Sequence, residues 1–269
     1  MSSEGDQFAR PRLSESWAIQ RRVIWALLLR EILTRYGRHN IGFLWMFVEP
    51  MLFTLGVTAI WSATKSLHGS NLPIVAFAVT GYSSVLLWRN MPARCIRSLE
   101  PNYGLLYHRN VRPLDIFLAR LILEAAGAGM SFVFLTLFFH FIGWLEFPEN
   151  ILQVIGGWLL IGWFGMSIAL FLGALSESSE LVEKLWHPAA YLLFPLSGAT
   201  FLVNALPTEW QSYILLLPMV DGVEYLREGY FGSAIVAHYN LGYTITFNMV
   251  MTLFGLAETR KASMTVVPE

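Results

Sequence analysis

The chain has 269 residues, 55% of them hydrophobic and only 14% charged, against about 25% charged in an average soluble chain. That leaves too little polar surface to coat a soluble globule, so much of the molecule is expected to face lipid. A formal net charge of −1 argues against a general nucleic-acid binder, and the single cysteine, Cys95, excludes an internal disulfide framework.

The first apolar run, Val23 to Leu33, is broken by Arg30 and Glu31 and no small-residue cleavage site follows it, so it is read as part of the mature chain. On a helical wheel Trp17, Ile24, Trp25, Leu28, Leu29, Ile32 and Tyr36 fall on one broad side. Gln20, Arg30, Glu31, Thr34 and Arg38 fall on the other, with Arg21 and Arg22 at the edges. The pattern predicts an amphipathic helix lying along the inner membrane surface, its long arginines snorkelling to water. Residues 1–40 are accordingly expected to be a cytoplasmic tail and interface helix, 41–260 a transmembrane domain and 261–269 a cytoplasmic tail.

The fold class expected is an all-α polytopic membrane protein. Six stretches meet the roughly 20 apolar residues that spanning requires: Ile41–Trp61, Leu72–Trp88, Leu114–Trp144, Ile151–Leu175, Leu181–Val203 and Tyr239–Ala257. The third exceeds the membrane thickness, which places Asp115 and Arg120 near an interface and predicts that Arg120 pairs with Glu124 one turn on. Lys and Arg gather on one side. Arg10, Arg12, Arg21, Arg22, Arg30, Arg35 and Arg38 precede the first span. Arg89, Arg94, Arg97, Arg109 and Arg112 follow the second, Lys184 the fourth, and Arg260 and Lys261 the last. The other side carries Lys65 and Arg227. This asymmetry predicts both termini in the cytoplasm, with Arg35 and Arg38 as headgroup anchors.

Three places depart from plain spans. Glu49-Pro50 interrupts the first span. The cytoplasmic loop from Arg89 to Asp115 contains LEPNYGLLYH, which reads as a short helix beginning near Pro101, either a docking element for a soluble partner or a solvated connector. On the external side, QSYILLLP is too short to span and too apolar for an open loop. It reads as a re-entrant hairpin before the last span, or as a buried extramembrane helix pair. Glu209, Asp221, Glu224 and Glu228 around it predict an acidic outer face.

The chain contains no Gly-Lys dipeptide and hence no phosphate-cradling loop, no HExxH, and no Cys/His cluster at metal spacing. Glu49, Arg120 and Glu124 are too few for a proton relay. Ser197 in PLSGAT and His238 offer a rhomboid-like intramembrane serine protease as a reading from another class, although Pro195 stands where that family has glycine.

TRYGRHNIGFLWMFVEP (Thr34–Pro50) resembles the entry signature of ABC-2-type exporter membrane subunits. With LLYHRNVRPLDIFLARLILE (Leu105–Glu124), ESSELVEK (Glu177–Lys184) and DGVEYLREGYFG (Asp221–Gly232), the chain is similar to the permease subunits of capsular polysaccharide exporters of Gram-negative bacteria. O-antigen and teichoic-acid permeases are the alternative within transport. The resemblance implies a bacterial inner-membrane protein that is not itself an enzyme and carries no cofactor, with ATP and Mg on a partner. The implied partners are a second copy of the chain, two ATP-binding subunits, a periplasmic adaptor, an outer-membrane polysaccharide export protein and membrane lipids. The implied cargo is a lipid-linked acidic polysaccharide.

The resemblance also assigns roles. Arg35, Gly37 and Arg38 would form the bend between interface helix and first span. Glu100, Asn102, Tyr103 and His108 would contact the ATPase. Trp45, Glu49, Tyr82, Trp88, Arg89, Arg94 and Tyr191 are candidates for the substrate path, with an anchoring hydrogen bond as the alternative for Glu49. Pro207, Pro218, Asp221 and Glu224 would belong to an external gate.

Overall fold

The computed structural model describes residues 13–37, 44, 48, 51–52, 54–60, 72–107 and 111–266. Among these every regular element is a helix, with no strand. The helices are α1 (Leu13–Tyr36), α2 (Ile74–Cys95), α3 (Tyr103–Leu106, entered through a 3-10 turn at Glu100–Asn102), α4 (Pro113–Phe141) and α5 (Ile151–Ser176). They continue with α6 (Glu180–Leu196), α7 (Thr208–Ile214), α8 (Pro218–Phe231) and α9 (Leu241–Val266). Described residues of the expected first span are helical as well.

Local sequence sets the helix ends. Arg112 is extended, as a residue before proline must be, and Pro113 opens α4 at a position whose N–H has no helical partner. The Asp115 carboxylate then accepts the Arg112 N–H at 2.9 Å. Asn150 caps α5 by accepting the Gln153 N–H at 3.2 Å. Pro218 opens α8 and Gly232, at φ +53°, closes it. Helix α6 stops at Leu196, well short of the Val203 expected from its apolar run. Pro188 and Pro195 weaken its backbone ladder, and Gly198 turns the chain at φ +78°. Helix α9 runs nine residues past its expected end at Ala257.

By length and composition, α4 and α5 are each apolar enough to cross a membrane. Helix α5 is the hub against which α2, α8 and α9 pack. Small residues make this possible. A methyl group added at Gly157 would lie 2.6 Å from Leu226 Cβ, and one at Gly165 would lie 2.8 Å from Trp88 Cα. At Gly173 it would lie 2.9 Å from Cys95 Cβ. On α8, Gly222 meets Ile161 and Gly229 meets Gln153 and Val154. Helix α8 therefore lies antiparallel along the first half of α5, its Pro218 end deep beside the middle of that helix.

The carbonyls of the non-helical stretch after α6 are gathered by one side chain. Arg227 of α8 is fully buried. Its Nη1 donates to Gly198 O at 2.6 Å and Phe201 O at 2.8 Å, and its Nη2 donates to Ala199 O at 2.6 Å. Its Cζ sits 3.8 Å above the Phe77 ring. The approach requires the glycine of α2 opposite: a Cβ at Gly81 would collide with Ala199 O and stand 2.5 Å from Arg227 Nη2. Sequence reasoning took Arg227 for an exterior charge, but it is a core cation satisfied by carbonyls. Arg227→Met leaves those carbonyls unpaired and is expected to destabilise the protein by about 3 kcal/mol or more. Arg227→Lys should fall between, because an ammonium lacks the planar fork. Thermal unfolding in detergent checks both.

Candidate functional site

At the end of the molecule that carries α3, charged residues of three helices meet. Glu31 and Arg35 stand one turn apart on α1, 2.9 Å from each other. They face Arg120 and Glu124, one turn apart on α4. Arg35 bonds Glu124 across the helices, and Arg120 lies 3.3 Å from Glu31. Arg94, from the end of α2, adds a contact to Glu124 at 3.2 Å, and its carbonyl accepts from Arg120 Nη1 at 2.6 Å. The expected Arg120–Glu124 pair is thus replaced by two interhelical pairs, because both side chains point at α1, where a complementary couple waits at the same spacing.

The polar side of the interface helix is engaged by the rest of the protein: Thr34 and the edge residues Arg21 and Arg22 are exposed, but the longer side chains between them are bonded. Gln20 bonds Asp115, Arg30 bonds Asn102, and Glu31 and Arg35 join the network, while Trp17, Trp25, Leu29 and Leu33 are exposed. Arg35, expected as a headgroup anchor, is an interior partner. Gly37 has φ +75°, a left-handed conformation that glycine adopts without strain. Arg38 lies outside the described residues.

The loop from Arg97 to Tyr107 is tied to the far end of α5. Arg97 itself has φ +50°, unusual for a residue other than glycine. Its N–H donates to Ser176 Oγ at 2.9 Å. Glu177 accepts from Leu99 N at 3.2 Å and from the Tyr103 hydroxyl at 3.1 Å. Burial raises both the Glu177 carboxyl and the Tyr103 phenol above their ordinary pKa values. Arg97 also reaches Glu100 at 2.6 Å and Glu183 at 3.7 Å.

Of the expected ATPase contacts, Glu100 and Tyr103 are exposed and His108 lies outside the described residues. Asn102 is 3% exposed, its amide used by Ser98 O and Arg30, so it holds the loop rather than offering itself to a partner. A groove of about 600 Å³ opens beside α3, between Tyr103 and Tyr107, the α5 end at Glu177, and Glu258 and Lys261 of α9. Tyr107, which sequence reasoning did not single out, is 83% exposed on its rim.

The expected path residues separate into two groups. Trp88 is 1% exposed, edge-on to Phe164, and belongs to the α2–α5 core. Tyr82 is buried edge-on against Phe194, and Arg94 belongs to the charge network. Arg89 and Tyr191 come together, the guanidinium 5.8 Å from the ring centroid. They share a cavity of about 130 Å³ with Asn90, Trp186 and His187. Asn90 and His187 were missed. The available signal was spacing, since His187 and Tyr191 stand one turn apart on α6. Trp45 and Glu49 lie outside the described residues.

At the opposite end, Pro207 precedes α7 and Pro218 opens α8. Asp221 and Glu224 are fully buried internal acceptors, so of the four residues of the expected acidic outer face only Glu209 is exposed. Asp221 accepts from Thr244 Oγ1 at 2.7 Å, and Glu224 accepts the N–H groups of Val203 and His238, each at 3.2 Å. Glu228 accepts from Gln153 at 2.6 Å and Tyr239 at 2.7 Å. Ser197 Oγ donates to Phe194 O at 2.7 Å, while the His238 ring lies 3.2 Å from Asn204 Oδ1. Each has a partner of its own, and they form no nucleophile–base couple.

The charge network yields a direct test. Glu31→Arg places like charges together and is expected to lower the melting temperature. Adding Arg120→Glu should restore most of it, with a coupling on the order of 1 kcal/mol in the double-mutant cycle.

Residues 22–231 match the family described as ABC-2 type transporter. The chain is 46% identical over 255 residues to the capsule polysaccharide export inner-membrane protein CtrC of Neisseria meningitidis serogroup B, covering 95% of this chain and 96% of that one. It is 39% identical over 265 residues to the capsule polysaccharide export inner-membrane protein BexB of Haemophilus influenzae, covering 98% and 99%. A more distant relative is the polysialic acid transport protein KpsM of Escherichia coli, 27% identical over 248 residues, covering 91% and 96%. With most of its length matched by the family and near-complete coverage of these relatives, the chain belongs to the ABC-2 type transporter membrane family.

Proposed function

We propose that this chain is the permease subunit of an ATP-driven exporter that moves lipid-linked capsular polysaccharide from cytoplasm to periplasm. Support comes from the near-full-length likeness to capsule export proteins and from a sequence without a phosphate-binding loop. In this reading six spans cross the inner membrane, both termini are cytoplasmic, and the α7–α8 pair is a re-entrant hairpin. Its depth beside α5 supports the last point. A second copy of the chain completes the conduit, two ATP-binding subunits drive it, and an adaptor and an outer-membrane protein receive the polymer.

The observation that carries the mechanism is the double attachment of the α3 loop. Through Ser176 and Glu177 it holds the end of α5, and through Asn102 and Arg30 it holds α1. A displacement imposed on α3 by a nucleotide-binding partner is therefore passed to the interface helix and to the α5–α6 turn together. The groove rimmed by Tyr103 and Tyr107 seats that partner. The cavity of Arg89, Asn90, His187 and Tyr191 presents donors and an aromatic face to an acidic sugar or a lipid-linking phosphate.

Co-expression with the ATP-binding subunit tests this. The Tyr103→Ala/Tyr107→Ala variant is expected to lose at least about tenfold in co-purified ATPase, the equivalent of about 1.4 kcal/mol, and to stop exporting capsule. Undiminished pull-down and export would remove the docking assignment. Arg89→Gln should leave pull-down intact while reducing export.

A further inference from the structure

The arginines of α1 fall into two sets. Arg30 and Arg35 are bound to protein partners. Arg21 and Arg22 are exposed and form no ion pair among the described residues; Arg22 Nε bonds Ala18 O of its own helix at 3.3 Å. Arg21 stands between Trp17 and Trp25, one turn from each, so the three share a face. Both tryptophans are largely exposed, at 69% and 60%.

This face and α4 enclose a groove of about 530 Å³, with Trp17, Trp25 and Ile122 as apolar walls and Arg21 and Arg22 at the edge. Ile122 is 45% exposed, and it begins a stripe of exposed apolar residues along α4 that continues through Met130, Val133, Leu137 and Phe141. The groove is thus cationic at its rim, aromatic in its walls, and continuous with the exposed apolar side of a 29-residue helix long and apolar enough to cross a membrane. A soluble anion would use the rim and leave the rest empty. A neutral hydrocarbon would leave the arginines without a partner.

We propose that this groove binds one anionic phospholipid of the leaflet that α1 lies on. Its phosphodiester is held by Arg21 and Arg22, and one acyl chain lies over Trp25 and Ile122 and continues along the α4 stripe. The site is separate from the Arg89 cavity and from the docking groove at Tyr107. Because α1 is joined to α4 by ion pairs and to the α3 loop by the Arg30–Asn102 hydrogen bond, such a lipid would fix the outer side of a helix whose inner side is already held.

Native mass spectrometry of the purified full-length chain tests this with dioleoyl phosphatidylglycerol and dioleoyl phosphatidylcholine as probes. The unmodified chain is expected to retain one phosphatidylglycerol with a preference on the order of tenfold over phosphatidylcholine. Arg21→Gln/Arg22→Gln should reduce that retention to the phosphatidylcholine level. Ile122→Trp fills the groove, keeps both arginines, and should abolish retention as well. Lys184→Gln, which removes a distant exposed charge, should not alter it. Excess inorganic phosphate should not displace the lipid. Equal retention of the two lipids, survival of retention in either groove variant, displacement by phosphate, or a second protein chain found in place of a lipid would each overturn the proposal.

Discussion

A guanidinium sealed from water organises one end of this molecule. Helix α6 ends early, and the carbonyls of Gly198, Ala199 and Phe201 turn inward with no helical partners. Burying three free acceptors is costly. Arg227 meets them with a rigid planar fork, and Glu224, one turn earlier on the same helix, takes the Val203 and His238 N–H groups. A single helix thus supplies both the donors and the acceptors that an irregular segment lacks. Non-helical backbone in a membrane protein is tolerated on that condition, enclosed in protein and fully bonded.

The α3 end is held together differently. Its charges are paired mainly with one another across helices, with Arg120 also donating to the Arg94 carbonyl, and the Arg94 side chain remains 44% exposed at the edge of the cluster. Opposite charges at matching one-turn spacing fix the register of α1 on α4, since a slip by one turn would leave Glu31 or Glu124 without its arginine. The two ends therefore differ in what they join. The Arg227 cluster is a closed set of bonds inside the core. The Glu31–Arg35–Arg120–Glu124 group joins two separate helices instead, and with side chains only 10–16% exposed, parting α1 from α4 would strip nearly buried charges of their partners.

Much of the architecture is legible in the sequence because apolar length and proline position are local properties. Helix α5 begins at Ile151 and ends within a residue of its expected limit. The short helix near Pro101 and the apolar run before Pro218 also stand where local signals place them. Partnership is not local. Arg120 and Glu124 look like a pair until α1 supplies better-placed partners 89 residues away in sequence. Asp221, Glu224 and Arg227 look like exterior charges because nothing within the hairpin shows that the stretch after α6 and the one before α9 will close over them. Trp88 resembles a sugar platform by composition, and only the packing of Phe164 and Gly165 against it shows that it is core. Asn102 is polar in a polar loop, and its burial depends on an arginine from α1.

The glycines at every eighth position of α5 carry one more implication. Each admits a different neighbour: Leu226 from α8, Trp88 from the middle of α2, Cys95 from its end. A screw motion or a one-turn slide of α5 would drive bulkier side chains into all three notches at once. The helix is consequently a fixed spindle, keyed against α2 and α8, and any conformational cycle must be executed by elements hung around it. Helix α6, whose buried side chains are Trp186 and Ala190, packs against it far more lightly than α2, α8 or α9 do. Of these four helices it can shift against the spindle with the least loss of packing.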